Sequence, residues 1–287
     1  MKGMHNKKNL GEWLVTIPPL GWLFIFFMIP TIIAITIAFR PSSPYGDIEA
    51  GWTLENFIML FSPTYITIIW RTIWISFIST IICLFFALPT GYYMARLSQK
   101  WRQIILLLII VPFWTNFLIR IFAWKIILNP EGILQYILIS LGIISKNTMM
   151  LYRTETVILV TVYTYLPFAI LPIFAAAEKF NFKLLEAAQD LGASRWESFS
   201  RIFLPNISKG LKVATFMVMI PCLGSYIIPD LVGGTNSEMI GNLIATQAFI
   251  ARNIPMAAAW ATVLMAMILF PMGLVISTKL LSRKMAE

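Results

Sequence analysis

Two runs of this chain, Trp13–Phe39 and Thr72–Ala95, contain no charged residue. Each is as long as the roughly 17–25 residues that a tilted helix needs to cross a hydrocarbon layer. Hydrocarbon offers no water to the backbone, so every amide in such a run must find its partner inside the structure. Helices do this within one segment. The alternative, a closed barrel, would show short segments of alternating polarity, and none is present. Gln103–Ile119, extended past Arg120 to residue 124, adds a third such stretch, and Thr156–Ala177, Val213–Pro229 and Asn253–Thr278 complete a set of six. The predicted spans are therefore 13–39, 72–95, 103–124, 156–177, 213–229 and 253–278, in one all-α integral membrane domain over residues 1–287. Composition agrees: 59% of residues are apolar and 12% charged, with a mean hydropathy of +0.79. A soluble domain carries about twice that charge.

Lys and Arg set the orientation. With the N-terminus inside, the segments 1–12, 96–102, 178–212 and 279–287 hold fifteen basic residues, against five in 40–67, 125–155 and 230–255. That asymmetry places both termini in the cytoplasm. The net charge of +9 is thus a topology signal rather than a nucleic-acid footprint, which would need a basic patch with exposed aromatics. Lys2, Lys7 and Lys8 precede an apolar run too long for a signal peptide, with no small-residue cleavage site after it, so the first helix is expected to be retained. Cys83 and Cys222 both fall inside spans, and His5 in the N-terminal tail is the only histidine, so no catalytic or metal-ligating set is expected. No G-x-x-x-x-G-K-[ST] occurs, so the chain holds no nucleotide through a P-loop.

Between the spans, Pro41-Ser42-Ser43-Pro44-Tyr45-Gly46 marks a turn. Leu134–Leu141 is apolar but too short to cross, which suits an interfacial helix. Pro221, Gly224 and Pro229 interrupt the fifth span, since proline removes a helical hydrogen bond. Such breaks are tolerated in membranes where the freed groups meet protein or a wet cavity. Met239–Ile250 is expected to form a short outer helix, and Ala257 with Ala261 offers a small-residue face for close packing.

The segment 178–212 is polar in an otherwise apolar chain. Asn181 can cap a helix running through Lys183, Glu186 and Asp190. Gly192 suits the left-handed position that closes it. Ser194-Arg195-Trp196-Glu197 fits a capping box for a second helix, which Leu204-Pro205 is expected to end. Leu184, Leu185, Ala188 and Leu191 give the first helix an apolar stripe; Trp196, Phe199 and Phe203 do so for the second. On periodicity alone, such a hairpin could equally lie on lipid headgroups.

The spacing Glu-Ala-Ala, three residues, Gly, nine residues, Ile-x-Leu-Pro resembles the EAA loop of bacterial ATP-binding-cassette importer permeases. Glu186, Ala187, Ala188, Gly192, Ile202, Leu204 and Pro205 match it. The resemblance implies the type I importer permease fold, with a hairpin that seats in a groove of an ATPase subunit and moves the membrane helices when the ATPases close. Two further segments, Val111-Pro112-Phe113-Trp114-Thr115-Asn116-Phe117-Leu118-Ile119-Arg120 and Ile228-Pro229-Asp230-Leu231-Val232-Gly233-Gly234, resemble the spermidine/putrescine importer permeases. More narrowly, they resemble the first of the two non-identical permeases, with most of the chain from about 70 to 275 matching. The resemblance implies a bacterial inner-membrane subunit that performs no chemistry and binds no cofactor itself. Its implied partners are a second permease, two ATP-binding cassette subunits that use ATP and Mg, and an external polyamine-binding protein.

Polyamines are flexible polycations, held by carboxylates and aromatic faces. The candidates are Trp114 and Asn116 on the third span and Tyr226 and Asp230 around the broken fifth. Trp114 fits the interfacial aromatic belt equally well, and Asp230 could cap a helix or sit in water. Arg120 would repel a polycation, so it is expected to pair with a carboxylate such as Asp230 or to face away from the route. Glu131 and Glu238 are simplest as solvated loop charges. Rival functions are the same machinery carrying another small solute, a membrane-embedded enzyme, which would need a catalytic cluster inside the spans, and a channel, which would need a filter-like repeat.

Overall fold

The computed structural model describes the backbone of residues 3–43, 46–145 and 148–284, and side chains from residue 13 to 271 within those ranges. Lys2, Pro44, Tyr45 and Lys146, and the side chains of His5, Lys7 and Lys8, lie outside the described residues. In chain order the α-helices are α1 (Gly3–Ala38), α2 (Glu55–Leu60), α3 (Pro63–Arg96), α4 (Gln99–Ile110), α5 (Phe117–Ile127), α6 (Ile133–Ser140), α7 (Thr154–Glu178), α8 (Lys183–Asp190), α9 (Arg195–Ser198), α10 (Leu204–Asn206), α11 (Ser208–Leu223), α12 (Ile227–Val232), α13 (Ile240–Ala245) and α14 (Ile254–Lys284). The only strand-like pairing among the described residues is an isolated bridge between Ser42 and Ile48.

Among the described residues four helices are long and apolar enough to cross a membrane: Trp13–Ala38, Pro63–Arg96, Thr154–Glu178 and Ile254–Pro271. A fifth crossing exists if the bent pair Gln99–Trp114 and Phe117–Ile127 counts as one span. This third span, expected over 103–124 with a helix-breaking proline at Pro112, is sharply bent there. The chain narrows into a 3-10 turn at Val111–Trp114, and the next helix leaves at 91°. Pro112 has no N–H to continue the helix. Its carbonyl is taken by the Thr115 hydroxyl at 2.6 Å, and extended Asn116 caps α5 by accepting from the Leu118 N–H at 2.8 Å.

The fifth span differs from the expected 213–229. Helix α11 begins earlier, at Ser208, and runs straight through Pro221 to Leu223. Its 16 residues measure about 24 Å, short of the roughly 30 Å hydrocarbon core. The break falls at Gly224–Tyr226, before α12. The two expected short helices are present as α6 and as α13 continued by a π-helical turn, Thr246–Ile250.

The chain divides into two compact units, Met1–Tyr65 with Leu243–Glu287, and Ile66–Asn242. In the first, α1 runs beside α14. Asn56 closes the C-terminal end of α1 by donating to the carbonyls of Ala38 and Arg40 at 2.9 and 2.8 Å. Ala257, Ala258 and Ala259 are buried on α14, and Trp260 packs edge-on against Tyr65 at 5.1 Å. The side chains from Trp13 to Phe27 point outward, as lipid or a partner helix requires.

The second unit carries the sites. One core joins α3, α7 and α11 through Cys83, Ala87, Ile173, Phe174, Ala214 and Val218. Helices α7 and α11 cross closely because Gly210 has no side chain: a Cβ there would lie 2.5 Å from Ala176 Cβ and 2.7 Å from the Pro172 carbonyl. Another core gathers Ile75, Ile121, Val157, Val160, Ile228 and Val232, which brings α12 against α5 and α7.

Candidate functional site

The segment 178–212 folds as helix, tight turn, helix, and local chemistry explains each corner. Asn181 Oδ1 accepts from the Lys183 N–H at 3.2 Å at the start of α8. After Asp190 the chain reverses at Gly192, whose φ of +91° lies in the left-handed region that favours glycine. The Ala193 N–H returns to the Ala188 carbonyl at 3.0 Å. Ser194 and Glu197 form a reciprocal box: Glu197 N–H donates to Ser194 Oγ at 3.2 Å, and Ser194 N–H donates to Glu197 Oε2 at 3.0 Å. The bonds from the Ser194 backbone and hydroxyl, with Arg201 4.0 Å away, hold the Glu197 carboxyl below its ordinary range.

The second helix does not stop at Leu204-Pro205. It widens into a π-helical turn, Phe199–Phe203, and passes through α10 before turning at Ile207. Proline provides no N–H at position 205, so the ladder is shifted: the Leu204 N–H bonds the Phe199 carbonyl. Asn206 Nδ2 then donates to the Ile202 carbonyl at 2.8 Å. The chain enters α11 directly, so hairpin and span are mechanically continuous.

The expected apolar stripe on α8 splits between two faces. Leu185 is 5% exposed and belongs to the core of the spans, whereas Leu184 is 47% and Leu191 90% exposed. Glu186 and Ala187 are exposed with them, and Ala188 is half-buried. Gly192 and Pro205 are exposed, while Ile202 and Leu204 pack against the same core as Leu185. The hairpin thus grips its own bundle with one side and presents a small-residue and leucine surface on the other.

The grip is aromatic. Tyr92, near the end of α3, meets Phe203 at 4.9 Å, Phe199 at 5.6 Å and Phe182 at 5.7 Å, all edge-on. Phe180 meets Phe182 and Phe203, both at 5.3 Å. Edge-to-face pairs add about 0.5–1.5 kcal/mol each beyond burial. Arg96 donates to Tyr92 Oη at 3.0 Å and lies over the Tyr92 and Phe182 rings. This hub was not expected from the sequence. Its trace was the pair Tyr92-Tyr93 ending a span and Phe180-x-Phe182 opening the loop. A force on the hairpin reaches α3, α7 and α11 together, because Leu185 and Phe203 are buried among their side chains.

The four pathway candidates lie in the same unit. Trp114 is 80% exposed at the end of the 3-10 turn, and Tyr226 is 44% exposed at the break before α12. Asp230 is exposed on α12, and Asn116 is spent as the cap of α5. Packing of α12 on α5 brings the two segments side by side. No hydrogen bond, ring contact or ion pair among the described residues links the four side chains. Asn242, which the sequence argument did not single out, fixes the break by donating to the Tyr226 carbonyl at 3.0 Å. Arg120 has no ion pair to Asp230; its guanidinium lies over Phe113 at 4.5 Å and Phe117 at 6.0 Å. Among the described residues no group of His, Cys, Asp and Glu could hold a metal ion.

A family model described as binding-protein-dependent transport system inner membrane component matches residues 87–287. The chain belongs to this family. Within it, the chain is 38% identical over 267 residues to the spermidine/putrescine transport system permease protein PotB of Haemophilus influenzae, covering 92% of this chain and 93% of that one. It is 36% identical over 246 residues to PotB of Escherichia coli strain K12, covering 86% and 89%. A crystal structure of a bacterial alginate ABC transporter, in complex with an alginate pentasaccharide-bound periplasmic protein, shares the fold. Its TM-score is 0.68 at 21% identity, covering 92% of this chain and 93% of that one. The family places the chain among the membrane components of binding-protein-dependent transport systems.

Proposed function

We propose that this chain is a permease subunit of an ATP-driven, binding-protein-dependent polyamine importer and forms half of its translocation pathway. The observation that carries the cargo is the near-full-length similarity to permeases named for spermidine and putrescine. The observation that supports the coupling role is the hairpin, with one face locked into the spans and the other exposed.

In this reading the chain crosses the bacterial inner membrane six times with both termini cytoplasmic, α4–α5 and α11–α12 being broken spans. The surface around Glu186, Ala187 and Leu191 seats in an ATPase subunit, one of two that use ATP and Mg. Gly192 shapes the tip, where the Ala188 carbonyl closes the turn; Ile202 and Leu204 hold the hairpin to the bundle, and Pro205 shifts its last helical turn. A second permease completes the pathway and an external binding protein delivers the cargo. Trp114 and Tyr226 offer ring faces to ammonium groups, each contact contributing about 0.5–2 kcal/mol. Asp230 supplies the countercharge, and Asn116 keeps Trp114 in place by fixing the bend. Cation–π contact with Phe113 keeps Arg120 occupied beside the route.

Uptake of labelled spermidine by cells expressing the chain with its neighbouring subunits tests the cargo. Putrescine and spermidine are expected to compete for uptake, and amino acids and anionic sugars are not. Competition by an unrelated solute with none by polyamines would overturn the cargo while leaving the transporter class.

A further inference from the structure

A cleft of about 700 Å³ opens between the last turns of α3 and the hairpin. Its apolar wall includes Phe85, Leu88, Pro89 and Tyr93 from α3, with Trp196 and Phe199 from the hairpin. Arg96 and Arg195 also line it, together with Glu186. The chemistry therefore changes along its length. The α3 side lies on the uncharged run Thr72–Ala95, which ends at Arg96, so Arg96 marks the level where hydrocarbon meets headgroups. Phe85 lies eleven residues earlier, about 16 Å deeper along the helix axis. One end of the cleft is thus at acyl-chain depth and the other at headgroup depth.

We propose that this cleft binds an anionic phospholipid, its phosphate facing Arg96 and Arg195 and an acyl chain lying along Phe85, Leu88 and Pro89. Two guanidinium groups against one carboxylate leave the rim net positive, which selects an anionic headgroup over a zwitterionic one. Guanidinium forks suit a phosphate, with several N–H donors aimed at its oxygens. Arg96 gives one donor to Tyr92 and keeps others. The rim disfavours a polycation such as a polyamine. Phe85, Tyr93 and Trp196 are 70%, 66% and 72% exposed, so a lipid chain would cover apolar surface that the chain itself leaves open. Bound there, the lipid touches both α3 and the hairpin, and its headgroup would set how firmly one moves with the other.

The test uses the full-length chain, purified with its co-eluting subunits and held in nanodiscs. The probes are phosphatidylglycerol or phosphatidylcholine carrying a photoreactive group in the acyl chain. Phosphatidylglycerol should label peptides from the end of α3 and from the hairpin more strongly, by about fivefold for each arginine that engages it. Arg195→Gln should lower that labelling by about fivefold. It removes an exposed charge, so it tests the site even where Arg96→Gln, which also loses the Tyr92 bond, perturbs α3. Equal labelling by the two headgroups, or labelling indifferent to both substitutions, would overturn the proposal. So would displacement of the lipid by millimolar inorganic phosphate, which would make this a free-anion site, or cross-linking of Trp196 to a protein subunit in place of lipid. Labelling is read without substrate, so its failure leaves the polyamine reading standing, and failed uptake leaves the lipid site standing.

Discussion

Gly192 carries the sharpest single-residue constraint in the hairpin. Its φ of +91° is costly for any residue with a side chain, although a Cβ there would meet nothing within 4 Å. The cost is therefore in the backbone, roughly 1–2 kcal/mol and more for a β-branched residue. Gly192→Val is expected to distort the tip while leaving the spans inserted. Membrane fractionation should find normal insertion, and uptake should be lost; normal uptake would sink the coupling role. Asp230 is the matching residue for cargo. Asp230→Asn keeps the shape of an exposed side chain and removes its charge, so polyamine-stimulated ATP hydrolysis in the assembled complex should weaken at unchanged basal hydrolysis. An unchanged response removes Asp230 from the pathway. Residues whose partners are adjacent in sequence were legible: Asn181, Gly192, Ser194 and Glu197 each do what their local pattern implies. Arg120 was not, because its guanidinium lies over the Phe113 ring instead of on a carboxylate, with its buried Nε left without a hydrogen-bond partner, and the bend at Pro112–Asn116 is what puts Phe113 beneath it.

Elements were legible where one local signal dominates and less so where proline leaves a choice. Pro205 was expected to end the second hairpin helix at once, yet a π-helical turn absorbs the missing donor and the helix ends one residue later, at Asn206. Pro221 sits inside α11 without ending it, while Pro112 turns the third span by 91°. Proline removes one bond in all three places, with three different outcomes. The capping box makes the hairpin's stability depend on pH. Glu197 is held below its ordinary range in the folded state, so its contribution is complete above the unfolded value and is lost as pH falls through the lower, folded one. Hydrogen exchange of the 195–203 backbone, compared with Glu197→Gln at each pH, should show protection in the native chain that disappears in acid. A difference that persists after the carboxyl is protonated would assign the protection elsewhere. The α7–α11 crossing gives an element-scale prediction of its own. Gly210→Ala places a methyl within 2.5 Å of Ala176 Cβ, and overpacking of this kind typically destabilises by about 1–3 kcal/mol. Thermal unfolding in detergent should fall accordingly, and an unchanged midpoint would mean that the helices separate easily.

At the scale of the molecule, apolar length gave the membrane class, and the basic-residue count gave an orientation that the helices alone do not contain. Crossing number was harder to read, because α4–α5 has enough apolar residues to span but divides them between two helices, and α11 stops at 16 residues. Hydropathy counts residues and is blind to the bend. The orientation can be measured at the hairpin tip. Leu191 is 90% exposed, one residue before the turn, whereas the native thiols Cys83 and Cys222 are buried in the bundle. Leu191→Cys therefore introduces one accessible thiol on a background with little reactivity. If the hairpin is cytoplasmic, a membrane-impermeant maleimide should label this cysteine in inside-out vesicles and not in intact spheroplasts. Adding the purified ATPase subunit should then protect it, because the same exposed face is the one assigned to docking. Labelling from outside would invert the topology and detach the hairpin from any ATP-driven partner. Labelling from inside without protection would keep the topology and move the docking surface away from Leu191.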